Sequence, residues 1–171
     1  NNCEKIYSNR TDSSRQGTNM FAEKYKLLFQ REANTKNSHF SILNSQLKIG
    51  IPRALGIYEN YPFWHALFSY CGIKVVLSQP STNTLYERGI HTVMADNICF
   101  PAKLMHGHIY NLITRGVDRI FYPYVVYEQK EDKHSANSFN CPIVSGYSDV
   151  IRSAIDLSNR HSIALDSPTI S

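Results

Sequence analysis

Apolar and polar positions change their rhythm near residue 47. Upstream, "SNRTDSSRQGTN" is polar and carries Gly and Ser, the composition of a flexible connection. "MFAEKYKLLFQR" then sets Phe21, Tyr25, Leu28 and Phe29 on one helical face, with Asn19 placed to cap the first turn. "EANTKNSHFSILNSQ" reads as connection again. Residues 1–46 are thus predicted to be a linker with a docking helix, whose apolar face serves a neighbouring domain. The start "NNCEK" has no initiator Met and no apolar signal core, which predicts a piece of a larger polypeptide rather than a secretory leader.

Residues 47–171 alternate short β-rich runs with helical ones. Strands are predicted over 47–52 ("LKIGIP"), 73–78 ("IKVVLS") and 91–96 ("HTVMAD"). Three more are predicted over 117–126 ("VDRIFYPYVV", broken by Pro123), 141–147 ("CPIVSGY") and 163–168 ("IALDSP"). Between them, helices are predicted over 60–72, 81–90, 101–116 and 148–157, with Gly72 and Gly116 as stop signals and Ser148 as a cap. Valine-rich runs such as "KVVL" suit strands covered on both faces. The pattern predicts an α/β domain: a mostly parallel sheet with helices on both faces, in Rossmann-like or flavodoxin-like layering. In such sheets ligands sit beyond the carboxyl ends of the strands.

Composition changes this picture little. At 171 residues, 42% hydrophobic and 19% charged, the chain suits one globular domain with a proper core. The net charge of +4 is spread without a Lys/Arg run, so a nucleic-acid partner is not expected. No apolar run nears the roughly eighteen residues that a membrane span needs. The four cysteines, Cys3, Cys71, Cys99 and Cys141, lack the spacing of a small disulfide scaffold, which predicts a reducing cytoplasm.

The candidate chemistry lies in "DNICFPAKLMHGH". Cys99 precedes a helix opened by Pro101, where unpaired N–H groups and the helix dipole favour a thiolate. It is either a nucleophile or soft-metal ligand, with Lys103 adding positive charge, or a small apolar residue filling a turn. Cys141 in "NCPIV" becomes a ligand candidate if it meets Cys99 in space. Cys71, on an apolar helix face, reads as core. His106 and His108 stand about 200° apart around a helix, so one of them, not both, is expected to line the site. Gly107 between them costs about 1 kcal/mol of helix propensity, which calls for a ligand or another helix in close approach. Arg53, just after the first strand, is an anion or partner contact, or a solvated loop charge. No GxGxxG or Walker lysine pattern is present.

Three segments, "IGIPRALGIYENYPFWHALF", "DNICFPAKLMHGHI" and "FNCPIVSGY", in this order resemble the acyl-CoA dehydratase activase-related family, which is akin to the 2-hydroxyglutaryl-CoA dehydratase activator and to that dehydratase's iron–sulfur subunits. The resemblance covers residues 47–157. It implies a parent chain with ATPase modules that bind ATP, ATP-driven transfer of a low-potential electron, and a dehydratase component that removes water from a 2-hydroxyacyl-CoA. It also implies a [4Fe–4S] cluster held by cysteines, here Cys99 and Cys141. In the relatives a cysteine often follows the "FYP" segment, where this chain has Tyr124; Cys3 is the remaining candidate ligand. An α/β docking module without a cluster is the alternative. A cysteine nucleophile served by His106 or His108 is a third reading, with no base and orienting set visible. The acyl-CoA substrate and the oligomeric state stay open at this point.

Overall fold

The computed structural model describes residues 17–30 and 47–170, which belong to two separate units. The first contains helix α1, Met20–Phe29. The Asn19 side chain accepts from the Ala22 N–H at 3.1 Å, a normal N-cap, and Lys26 pairs with Glu23 at 2.7 Å. None of its residues is buried, and Phe21 and Leu27 are exposed.

The second unit is an α/β sandwich. Strands β1 (Lys48–Ile51), β2 (Lys74–Leu77), β3 (Arg119–Phe121) and β5 (Ala164–Asp166) form one sheet in the order β2-β1-β3-β5, every pairing parallel. The short strands β4 (Tyr124–Val125) and β6 (Thr169–Ile170) pair in parallel beside it. Helix α2 (Ile57–Tyr70) links β1 to β2. Helix α3 (Asn83–Gly89), a 3-10 turn (Ile90–Thr92) and helix α4 (Phe100–Thr114) link β2 to β3. Helices α5 (Pro142–Ala154) and α6 (Leu157–His161) precede β5.

Alternation along the strands assigns the two faces. Phe121 of β3 meets Trp64 and Phe68 of α2, with ring centroids 4.6 and 5.0 Å apart. Gly50 of β1 instead looks toward Leu112 of α4 and Val117, where a Cβ would come within about 3.2 Å of both. Ile51 and Ile120, on the two central strands, are fully buried, and each such side chain contributes about 1.5–3 kcal/mol. Across the edge, Arg119 makes a two-pronged bond to Asp166, at 2.6 Å from Nε and 2.5 Å from Nη2.

Two predicted strands are absent. Residues 92–96 form the end of the 3-10 turn and a loop, because the Thr92 hydroxyl turns back to bond the Gly89 carbonyl at 2.8 Å and Met94 is exposed. Residues 142–147 begin helix α5. Pro142 is preorganised for the first helical position, and Tyr147, Ile151 and Ile155 recur on one buried face at helical spacing. Ser148 therefore lies inside α5 and caps nothing. Pro123 splits the predicted strand 117–126 into β3 and β4, which join different sheets, while the predicted strand 163–168 completes the main sheet as β5.

Candidate functional site

The chain leaves β1 through Pro52 and Arg53 and must turn at once into α2. Leu55 takes that turn in the left-handed region, at φ 52°, where a branched side chain costs on the order of 1 kcal/mol. The Arg53 N–H donates to Ser78 Oγ at 2.7 Å, which ties the exit of β1 to the exit of β2. Asn111 of α4 fixes the next residue: its Oδ1 accepts the Gln79 N–H at 2.9 Å and its amide donates to Gln79 Oε1 at 3.1 Å.

The fully buried His108 sits between two serines, with Nδ1 2.8 Å from Ser78 Oγ and Nε2 3.0 Å from Ser81 Oγ. Burial, helped by the Arg53 charge, pushes its pKa down to about 4, so the ring is neutral near pH 7. Proton accounting sets the tautomer. Ser78 is fully buried and its other partner, the Arg53 N–H, is a donor, so among the described residues His108 Nδ1 is the acceptor for its hydroxyl proton. His108 Nε2–H then donates to Ser81 Oγ.

His106 is also fully buried, one residue beyond Gly107 on the other side. Its Nδ1 is 2.8 Å from Thr92 Oγ1 and its Nε2 is 2.9 Å from the Tyr147 hydroxyl. The Thr92 proton is engaged by the Gly89 carbonyl, so His106 carries its proton on Nδ1 and accepts from Tyr147. Burial, with the nearby His91, lowers His106 to about 4. Tyr147 is pushed up to about 12, by burial first and then by the nearness of Cys99. Neighbouring imidazoles on one helix therefore hold opposite tautomers. Gly107, between them, is explained by helix α3: a Cβ there would lie 2.1 Å from the Leu85 carbonyl oxygen.

Cys99 and Cys141 occupy equivalent places. Each is the exposed N-cap of a helix with proline in its first two positions, and neither side chain caps the helix. The helices they open, α4 and α5, are joined by the bond between His106 and Tyr147. The Lys103 ammonium donates to the Asp96 carbonyl at 2.7 Å and so braces the turn ahead of Cys99. Tyr124 donates to Asp149 of α5. Cys71 is the half-buried C-cap of α2. Cys3 lies outside the described residues. Among the described residues no three His, Cys, Asp or Glu side chains gather to hold a metal ion. Two thiols fall short of the three or four ligands that an iron–sulfur cluster takes.

An open cleft of about 390 Å³ adjoins the serine–histidine chain, lined by Arg53, Leu55, Tyr58, Glu59, Ser81 and Leu104, among others. Sequence reasoning named Arg53 and both histidines, but missed Ser78, Ser81, Thr92 and Tyr147. The pair in "SQPS" directly after a strand was the available signal for the first two.

Fold and edge together define an open parallel α/β domain that gathers polar chains and two exposed thiols where its strands end. The chain belongs to the family described as CoA enzyme activase uncharacterised domain, which matches residues 48–171. No curated protein and no solved structure matched it. Among the described residues no helix is long and apolar enough to cross a membrane.

Proposed function

We propose that this domain is the docking element of a CoA enzyme activase, and that the edge carrying Cys99 and Cys141 faces the ATPase modules of the parent chain and a 2-hydroxyacyl-CoA dehydratase component. The observation that carries this reading is the matched pair of exposed, uncapped cysteines at the starts of two joined helices. A domain with no use for that edge gains nothing from two solvent-facing thiols beside a positive dipole. The test is alkylation of Cys99 and Cys141 by iodoacetamide, followed by mass spectrometry, in this domain and in the full-length parent. Docking predicts strong protection of both thiols in the parent. Equal rates in the two proteins would exclude it.

A second reading, an iron–sulfur cluster on this edge, is favoured by the same uncapped thiols and requires ligands from outside the described residues. Anaerobic reconstitution with iron and sulfide tests it. A cluster bound here gives visible sulfur-to-iron absorption that Cys99→Ser abolishes, that Cys71→Ser spares and that Tyr124→Cys strengthens. Equally weak absorption from the native chain, Cys99→Ser and Tyr124→Cys leaves the docking role alone.

A further inference from the structure

The cleft beside Ser81 belongs to neither reading. It is large enough for a small organic ligand, since pockets for such molecules begin near about 300 Å³. Its walls are mixed: Leu55 and Leu104 are apolar, whereas Arg53 and Ser81 are polar.

The polarity of the hydrogen-bond chain decides which ligand atoms suit it. Beginning at the Arg53 N–H, each link donates onward: to Ser78 Oγ, from the Ser78 hydroxyl to His108 Nδ1, and from His108 Nε2–H to Ser81 Oγ. Ser81 Oγ therefore accepts from inside the protein, which leaves its own proton free to turn to the cleft that Ser81 lines. Hydrogen bonds in such a chain polarise one another, which makes the last hydroxyl a better donor. Three further features act in the same sense. Arg53 lines the cleft, and its positive charge reaches His108. Pro101 and Leu104 bring the first turns of α4, the positive end of its dipole, to the same wall. Leu55 is held there in a backbone conformation that L residues seldom adopt, the kind of outlier found where chains clamp ligands. Glu59 also lines the cleft, but it is exposed, so water and salt screen its charge more than that of half-buried Arg53.

We propose that the cleft binds a small organic anion, with a carboxylate or phosphate oxygen accepting the Ser81 hydroxyl beside Arg53 and an apolar body lying along Leu55 and Leu104. His108 is a positioning residue: it holds the Ser81 oxygen from within and does not touch the ligand.

The experiment is an NMR titration of the isotope-labelled protein with sodium hexanoate, hexan-1-ol and inorganic phosphate in turn. Hexanoate is expected to shift the backbone signals of Arg53, Leu55, Ser81 and Leu104 saturably. Hexanol lacks the charge and phosphate lacks the body, so each is expected to bind at least about tenfold more weakly. Ser81→Ala removes the donor and is expected to cost hexanoate about tenfold in affinity, while Ser81→Thr keeps the hydroxyl and stays within about twofold of the native chain. Independently of any ligand, the ring nitrogen signals of His108 are expected to show a proton on Nε2. Several results would overturn the proposal: hexanol equal to hexanoate, which makes the cleft an apolar slot; phosphate equal to hexanoate, which makes it an ion site only; unchanged affinity in Ser81→Ala; a His108 proton on Nδ1; or no saturation by any probe.

Discussion

Replacing glycine by alanine inside a helix ordinarily adds about 1 kcal/mol of stability through helix propensity. At Gly107 the sign should reverse. The crossing of α3 and α4 is built on two glycines, each facing the backbone of the other helix. A Cβ at Gly107 would meet the Leu85 carbonyl oxygen at 2.1 Å and the Leu85 carbonyl carbon at 2.8 Å, and one at Gly89 would meet the Gly107 nitrogen at 2.2 Å. Real Cβ atoms essentially never come within 3.0 Å of such atoms, so the two helices must separate by nearly an ångström. Neither contact is the end of a flexible side chain, and Leu85 is buried, so nothing local can yield. Overpacking of this kind costs about 1–3 kcal/mol, and the upper end applies when backbone has to move. Against the propensity gain, Gly107→Ala should lose about 2 kcal/mol net, or about 8 °C in melting temperature for a domain of this size. Gly146 supplies the control. It lies inside α5 with nothing within 4 Å of its would-be Cβ. Gly146→Ala should therefore gain about 0.5–1 kcal/mol. Urea unfolding followed by circular dichroism measures both. If Gly107→Ala is as stable as the native chain, or both variants shift the midpoint in one direction, the close crossing is not what holds α3 to α4.

Three further outcomes follow from the buried polar groups. His106 and His108 have folded pKa values near 4 against an ordinary 6.5, so the unfolded chain binds their protons more readily; stability is intact above about pH 6.5 and falls as the pH drops toward 4, the loss reaching about 2 kcal/mol for each by pH 5. Urea midpoints at pH 7.5 and pH 5 measure this, and a flat profile would contradict burial of two neutral imidazoles. Tyr147→Phe leaves His106 Nε2 buried without its donor and should cost about 1–3 kcal/mol by the same assay. Ser148→Ala should be neutral or stabilising by about 1 kcal/mol, because the Ser148 hydroxyl is buried with no hydrogen-bond partner among the described residues; a loss above about 1 kcal/mol would reveal a hidden partner.

Local pattern was enough to read β1, β2, β3, α2 and α4, because their apolar runs and their Pro and Gly punctuation agree with the final packing. It failed where local and tertiary preferences part. "CPIVSGY" carries β-branched residues in a short apolar run, yet Pro142 and the buried face of Tyr147, Ile151 and Ile155 make it a helix. "HTVMAD" has strand composition, but the Thr92 hydroxyl serves Gly89 and His106 instead of a ladder. Cys99 was legible ahead of its helix, because Pro101 marks a helix start, whereas Cys141 was read at the start of a strand and opens a helix instead. The expectation that only one of His106 and His108 lines a given site rested on their opposite directions around the helix, and the two rings do bond different partners. Each side of α4 has its own polar partners, and these lie 27 to 41 residues away for the serines and Tyr147. No periodicity along the chain encodes separations of that kind.

Strand β5 has a consequence for the birth of the protein. It covers the open side of β3 and supplies Asp166 to Arg119, yet about 45 residues of chain separate the two strands. At about 5–20 residues per second, a ribosome needs about 2 to 9 s to cover that distance. Through that interval Arg119, Ile120 and Phe121 present an uncapped row of backbone donors and acceptors, a template for a passing strand of another nascent chain. Production of this domain should accordingly depend on chaperone supply and on translation speed between residues 122 and 166, even when the stability of the finished protein is unchanged.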